Sequence, residues 1–267
     1  MASLRESITE KLLYRFVKKR IAGITMNAAI DQVKSINGRS ILATASFLSE
    51  DAIDRAKARY ATTTYLELVR RIGQLGLKAS VQIPASQVGS LIDEQLAAEN
   101  LRNIIDTANR YGVFVWLEPA GIDSYLYSLK AKGIGYVTDL NGAKSRILDS
   151  NVKAIKLIFP EDEYRNETAF KIIEAVAKRH KNTVVHSAPD KLVGMLLRGS
   201  KYKKSLILEF PLDYSRKKLD SFKKRGCSAS VYVPFGKDWL HYALNKVQSK
   251  YIRLLAKRLL EERNGVV

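Results

Sequence analysis

The chain has 267 residues, 46% of them hydrophobic, and its 45 Lys and Arg outnumber 27 Asp and Glu to give a formal charge of +18. That length suits one large core, and α/β barrels use it as a single domain. The single cysteine, Cys227, excludes an intramolecular disulfide and a thiolate-rich zinc site, and fits a reducing compartment such as the cytoplasm.

An opening helical segment is predicted over roughly residues 5–36, with apolar residues at Leu12, Leu13, Phe16, Val17 and Ile21. Arg5, Glu6, Glu10 and Lys11 interrupt it, unlike the apolar region of a signal peptide. Eight short apolar runs follow: "SILATASF" from Ser40, "ASVQIP" from Ala79, "VFVWLE" from Val113, "IGYVTD" from Ile134, "KAIKLIF" from Lys153, "NTVVHS" from Asn182, "SLILEF" from Ser205 and "SASVYV" from Ser228. Their starts lie 19 to 39 residues apart, room for one crossover helix each, as parallel strands require. Helical spacing is clearest at Leu96, Leu101, Ile104 and Ile105 and at Phe170, Ile172, Ile173 and Val176. The expectation is a (β/α)8 barrel over residues 39–267 behind an N-terminal helical segment at 1–38. An open doubly wound sheet is the runner-up, but no Gly-rich loop follows the first strand.

Barrel enzymes build their sites at the C-terminal ends of the strands. The polar residues there are Ser46, Gln82, Glu118, Asp139, Lys156, His186, Glu209 and Tyr232. Strand ends meet solvent in any barrel, so some of these residues serve only loop backbone groups. Neither His180 nor His241 forms a ligand pattern with His186, and metal catalysis has little support.

The stretch "VYVPFGKDWLHYALNKV", residues 231–247, resembles the last strand and helix of the flavin-dependent proline dehydrogenase family, in which a Tyr-x-Pro-x-Gly turn precedes Asp-Trp, a Tyr and two arginines. "FVKKRIAGITMNAAIDQVKSINGRSILATASFLSE" is similar to the family's opening helix and first strand, "QVGSLIDEQLAAENLRNII" to its second crossover, and "KAIKLIF" to its Arg-Leu-Val-Lys-Gly-Ala-Tyr strand. The resemblance implies a distorted (β/α)8 barrel that binds FAD over the strand ends and oxidises L-proline, or a related cyclic or N-alkyl amino acid, with electrons passing to a quinone. It implies Lys156 and His186 at flavin positions, with Asp139 and Lys153 standing where the family has Gln and Arg. For the substrate it implies Tyr232 and Tyr242 as walls, with Asn245 and Lys246 in place of the paired arginines and Gln82 in place of a lysine. Trp116 replaces an Asp of the third strand, Ser46 an Asp of the first, and Pro211 falls near a seventh-strand Gln. A charge-assisted hydrogen bond contributes roughly 1.5 to 3 kcal/mol. Losing two arginine contacts therefore weakens carboxylate recognition by about two to four powers of ten.

Two other readings compete. "KYKK", "SRKK" and "FKKRG", within residues 201–226 and interleaved with Tyr202, Tyr214 and Phe222, suit a catalytically degenerate barrel that binds nucleic acid or another anion, although charge runs on crossover helices are ordinarily solvated faces. "SKYIRLLAKRLLEER" from Ser249 is a basic amphipathic run suited to peripheral membrane contact, a pattern shared with any C-terminal helix packed on a barrel.

Overall fold

The computed structural model describes residues 14–15, 17–119, 133–140, 142–143, 154–159, 165–180, 182–240 and 242. Eight parallel strands close in chain order into a barrel: β1 (Leu42–Phe47), β2 (Ala79–Pro84), β3 (Val115–Glu118), β4 (Ile134–Thr138), β5 (Ala154–Ile158), β6 (Asn182–His186), β7 (Leu206–Pro211) and β8 (Ser228–Phe235). Each expected apolar run falls on one of them, with β7 and β8 running past the expected ends to Pro211 and Phe235. The β1–β8 pairing from Leu42↔Ser230 to Phe47↔Phe235 completes the ring.

The described helices are α1 (Met26–Asn37), α2 (Arg55–Gln74), α3 (Glu94–Tyr111), α4 (Asn166–Arg179), α5 (Asp190–Gly199) and α6 (Arg216–Lys224). Asp54 caps α2 by accepting from the Lys57 amide at 2.8 Å, and Asp93 caps α3 through Leu96 at 2.8 Å. These caps satisfy backbone donors that the first turn leaves open. The outward strand residues, among them Ala43, Ala45, Val81, Ile83, Val115, Leu117, Ile155, Leu157, Leu208, Phe210, Val231 and Val233, join one core with the helices' inner faces. In α1, Ala29, Ile30 and Val33 belong to that core and pack on β8 and β1, across the seam where the barrel closes.

The opening segment differs from expectation. Tyr14, Arg15 and Val17 lie in a helical turn, the chain then bends, and α1 begins only at Met26, capped by Thr25. The cause is pairing with the end of β8: Ala22 donates its amide to Pro234 O at 2.8 Å, Gly236 donates to Gly23 O at 3.0 Å, and Gly23 bridges Phe235. Backbone groups engaged there are not available to a continuous helix.

The same contacts explain the Pro-Phe-Gly turn. Gly236 has φ 145°, and a Cβ on it would lie 2.2 Å from Leu48 O. Only glycine permits that conformation and that approach.

Candidate active site

Side chains on non-neighbouring strands meet only across the barrel axis, and here they do. Thr44 on β1 hydrogen-bonds Glu209 on β7, past β8, and Lys156 on β5 donates to Gln82 Oε1 on β2 at 2.7 Å. One half of the interior is therefore polar. The other half is apolar, built from Trp116, Val137, Ala154 and Val184 with Phe114, Ile158 and Ile207.

Glu209 is the hub of the polar half. Its side chain is 0% exposed, and that of its ion-pair partner Lys156 is 1% exposed. His186 Nδ1 lies 2.8 Å from Oε1, and Ser230 Oγ donates to Oε2 at 3.2 Å. Burial pushes this carboxyl up, but the Lys156 ammonium and the His186 hydrogen bond outweigh it and bring the pKa down to about 2. Glu209 is then an acceptor only, so the contacting nitrogen of His186 is the one that carries a proton. A consistent donation order feeds the hub from β3: Trp116 Nε1 donates to Ser80 Oγ at 3.1 Å, Ser80 to Thr44 at 3.0 Å, and Thr44 to Glu209.

Above the hub, Lys156 Nζ sits 5.0 Å from the centroid of the Tyr232 ring, an arrangement that attracts a cation to the π face. His186 meets the same ring edge-on at 5.2 Å, and Tyr242 lies 6.5 Å beyond it. Burial raises the Tyr232 phenol well above its ordinary pKa, while its hydrogen bond with Ser46 acts in the opposite direction. It remains a neutral hydroxyl at physiological pH. Ser187, directly after His186, takes φ 57°, an uncommon conformation for a residue with a Cβ, and its amide donates to Glu209 O at 2.8 Å.

The expected site residues divide accordingly. Gln82, Lys156, His186 and Tyr232 come together, with Tyr242 beside them. Asp139 does not join: it is exposed, and its Oδ1 accepts from the Gly142 amide at 2.6 Å, capping a helical turn. Lys153, Asn245 and Lys246 lie outside the described residues. Trp116 is inside the barrel, 4% exposed, with its indole laid over Gly135. Trp239 packs instead against Tyr14, ring centroids 5.3 Å apart. Sequence reasoning gave no role to Thr44, Ser80 and Ser230, nor a partner to Glu209 or Glu118. The available signal was parity: all of them share the inward alternation of Gln82, Lys156 and Tyr232.

No family model matches the chain. Among curated proteins, proline dehydrogenase 2 of Bacillus subtilis (strain 168) is 22% identical over 260 residues, covering 87% of this chain and 86% of its own length. The proline dehydrogenase of Deinococcus radiodurans is 27% identical over 116 residues, 42% of this chain and 37% of that protein. Among solved structures, proline utilization A (PutA) from Bdellovibrio bacteriovorus, inactivated by N-propargylglycine, superposes with TM-score 0.73 at 15% identity over 96% of this chain and 33% of that one. PutA from Corynebacterium freiburgense gives 0.66 at 13% identity over 96% and 33%. Over most of its length this chain is similar to curated proline dehydrogenases. It spans about a third of the two PutA chains, and with them it shares the barrel fold. The described interior beneath the strand ends carries a buried ion pair, a partnered imidazole and an aromatic wall.

Proposed function

We propose that this chain is an FAD-dependent oxidoreductase of the proline dehydrogenase type, acting on L-proline or a related cyclic or N-alkyl amino acid and passing electrons to a quinone. The observation that carries the reading is the buried Lys156–Glu209–His186 cluster beneath Tyr232. It lies at the C-terminal strand ends of a barrel that is similar to curated proline dehydrogenases over 87% of the chain. The anion-binding alternative is not favoured by these relatives.

The chemistry of the donor set fits a flavin. The buried Lys156 ammonium and the His186 imidazole beside the Tyr232 ring suit a group bearing carbonyl oxygens and an anionic phosphate chain, and an aromatic wall suits a planar ring system. Lys156 and His186 would hold it. When bound, FAD supplies the acceptor for the two electrons and the hydrogen leaving the carbon beside the amine nitrogen.

The remaining work belongs to the protein. Glu209, ionised at physiological pH, keeps a cation beside it favoured at Lys156 and fixes the proton position on His186. The Tyr232 ring limits one side of the space, and its hydroxyl is oriented by Ser46. Lys246, in place of an arginine, would act on a substrate carboxylate as a point charge rather than a bidentate fork.

The test is the visible spectrum of the full chain purified with added FAD, followed by anaerobic addition of L-proline and then an artificial electron acceptor. The expected result is a yellow protein whose flavin band bleaches and whose reducing equivalents reach the acceptor. A colourless protein that takes up no FAD and leaves the acceptor unreduced overturns the proposal. No described helix is long and apolar enough to cross a membrane, and the membrane contact proposed here is peripheral. The run from Ser249 that would mediate it lies outside the described residues.

A further inference from the structure

The segment ahead of α1 crosses the end of β8 as a strap with three attachments. Its backbone pairs with that strand end, Ala22 donating to Pro234 O at 2.8 Å and Gly236 to Gly23 O at 3.0 Å. Tyr14 meets the Trp239 ring edge-on at 5.3 Å, and Val17 and Ile21, which lie between these attachments in the chain, are buried. Arg20 reaches past β8 to the turn that leaves β7, where its Nε donates to Asp213 Oδ2 at 2.7 Å. That turn is closed by the Tyr214 amide on Pro211 O at 3.0 Å, which holds Asp213 at its corner.

Both side-chain attachments bear on the aromatic wall. Pro211 is the ladder partner of Tyr232, so the turn that carries Asp213 starts beside the wall. Trp239, Leu240 and Tyr242 are helical, and the spacing of three sets Trp239 and Tyr242 on one face. Tyr14 packs on the first of them, and the second stands 6.5 Å from Tyr232 with its ring tilted 34°, within the range of an aromatic pair. The two charges reach the same ring: burial raises the Tyr242 phenol above its ordinary pKa, Arg20 acts to lower it and Asp213 to raise it.

We infer that Arg20, clasped to Asp213, is a positioning residue of the substrate site: it holds the strap against the turn after β7 and so fixes Tyr242 in the wall. This rests on the oxidoreductase reading above and adds the N-terminal segment to its substrate site. The side chains of the pair are 37% and 27% exposed, so solvent screens it and it adds little to stability. Without it the backbone pairing and the Tyr14 contact remain, and the strap loosens rather than detaches. The consequence is geometric. A gap of about 0.5–1 Å between a ring and its ligand already forfeits about a quarter to a half of their dispersion attraction, so a slight loosening of Tyr242 weakens substrate binding.

The experiment measures kcat and KM for L-proline, with an artificial electron acceptor, on the FAD-loaded full chain and on Arg20→Gln, Asp213→Asn, their double variant, and Tyr242→Ala with and without Arg20→Gln. Each single change at the clasp is expected to raise KM by about two- to fivefold, the scale of a screened ion pair. With kcat little changed, that is the signature of a lost binding contact. The double variant should be no worse than either single, and Arg20→Gln should add nothing in Tyr242→Ala. Hydrogen exchange at the Ala22 and Gly236 amides, which needs no flavin, should quicken in both single variants as the strap loosens. Unchanged KM, additive KM losses, unchanged exchange, or an Arg20→Gln effect that persists in Tyr242→Ala overturns the inference and leaves the oxidoreductase reading standing. A chain that takes up no FAD and reduces no acceptor overturns both. Should Arg20→Gln fold poorly, Asp213→Asn opens the same clasp from the β7 side and carries both measurements.

Discussion

Glu209 holds its charge in the interior because four side chains donate to it or pair with it: Lys156, His186, Thr44 and Ser230. Taking two ions out of water is costly, and a buried pair offsets that cost only while both partners remain. Lys156→Met is therefore expected to destabilise the fold by roughly 3–5 kcal/mol, and Lys156→Met combined with Glu209→Gln to recover much of the loss. Urea denaturation of the two single variants and the double variant closes the cycle; additive losses would mean the two charges are not coupled. The acid limb of stability follows from the same residue. The folded-state pKa of Glu209 is depressed from 4.5 to about 2. Its contribution is therefore complete above pH 4.5 and drains away as the pH falls toward about 2. Glu209→Gln should flatten that part of the stability profile, measured as urea midpoints across the interval.

At the scale of elements, β3 and β4 fit together through one large and one absent side chain. A Cβ on Gly135 would lie 2.4 Å from Trp116 Cζ3, 2.7 Å from Cε3 and 3.0 Å from Ala154 Cβ. The indole thus occupies the space that a side chain on β4 would need, and its Nε1 is anchored on β2 through Ser80. Gly135→Ala should cost about 1–3 kcal/mol by overpacking, and adding Trp116→Phe should return part of it by shrinking the intruding ring. Thermal melts of the single and double variants measure this. If Gly135→Ala melts with the parent, the indole is free to move aside.

For the whole molecule, charge follows topology. Every described α-helix has a basic residue in its last turn: Lys34, Arg71, Arg110, Lys178 with Arg179, Arg198, and Lys223 with Lys224. Cations there complement the helix macrodipole, and the barrel gathers these ends on the face opposite the strand C-termini. The exposed pairs Lys57–Glu50, Lys218–Asp190 and Arg39–Asp220 are screened by solvent and contribute little. The +18 chain repels itself, an effect that salt screens. Raising ionic strength from about 10 mM to about 150 mM, which shortens the screening length from about 30 Å to about 8 Å, should raise the melting temperature. A fall would mean that the surface pairs dominate.

The barrel was legible from the chain because a parallel strand covered on both faces must be apolar almost throughout, and eight such runs with helix-length spacers leave few ways to pack. The rim residues were legible too, since a strand's last polar residue marks its solvent end. The partners were not. Thr44 and Glu209 are 165 positions apart, and Lys156 and Gln82 are 74; no local spacing encodes such meetings. The division at 5–36 into a turn and a later helix also escaped the periodicity, because the competing backbone partner is the end of β8. Local pattern, by itself, determined which segments are strands and helices and which polar residues stand at strand ends, since alternation and apolar period are properties of neighbours along the chain. Ring closure alone decided that Lys156 pairs with Glu209, that Trp116 fills the barrel, and that Gln82 bridges Lys156 to Glu118, because those contacts depend on an axis that exists only once β8 pairs with β1.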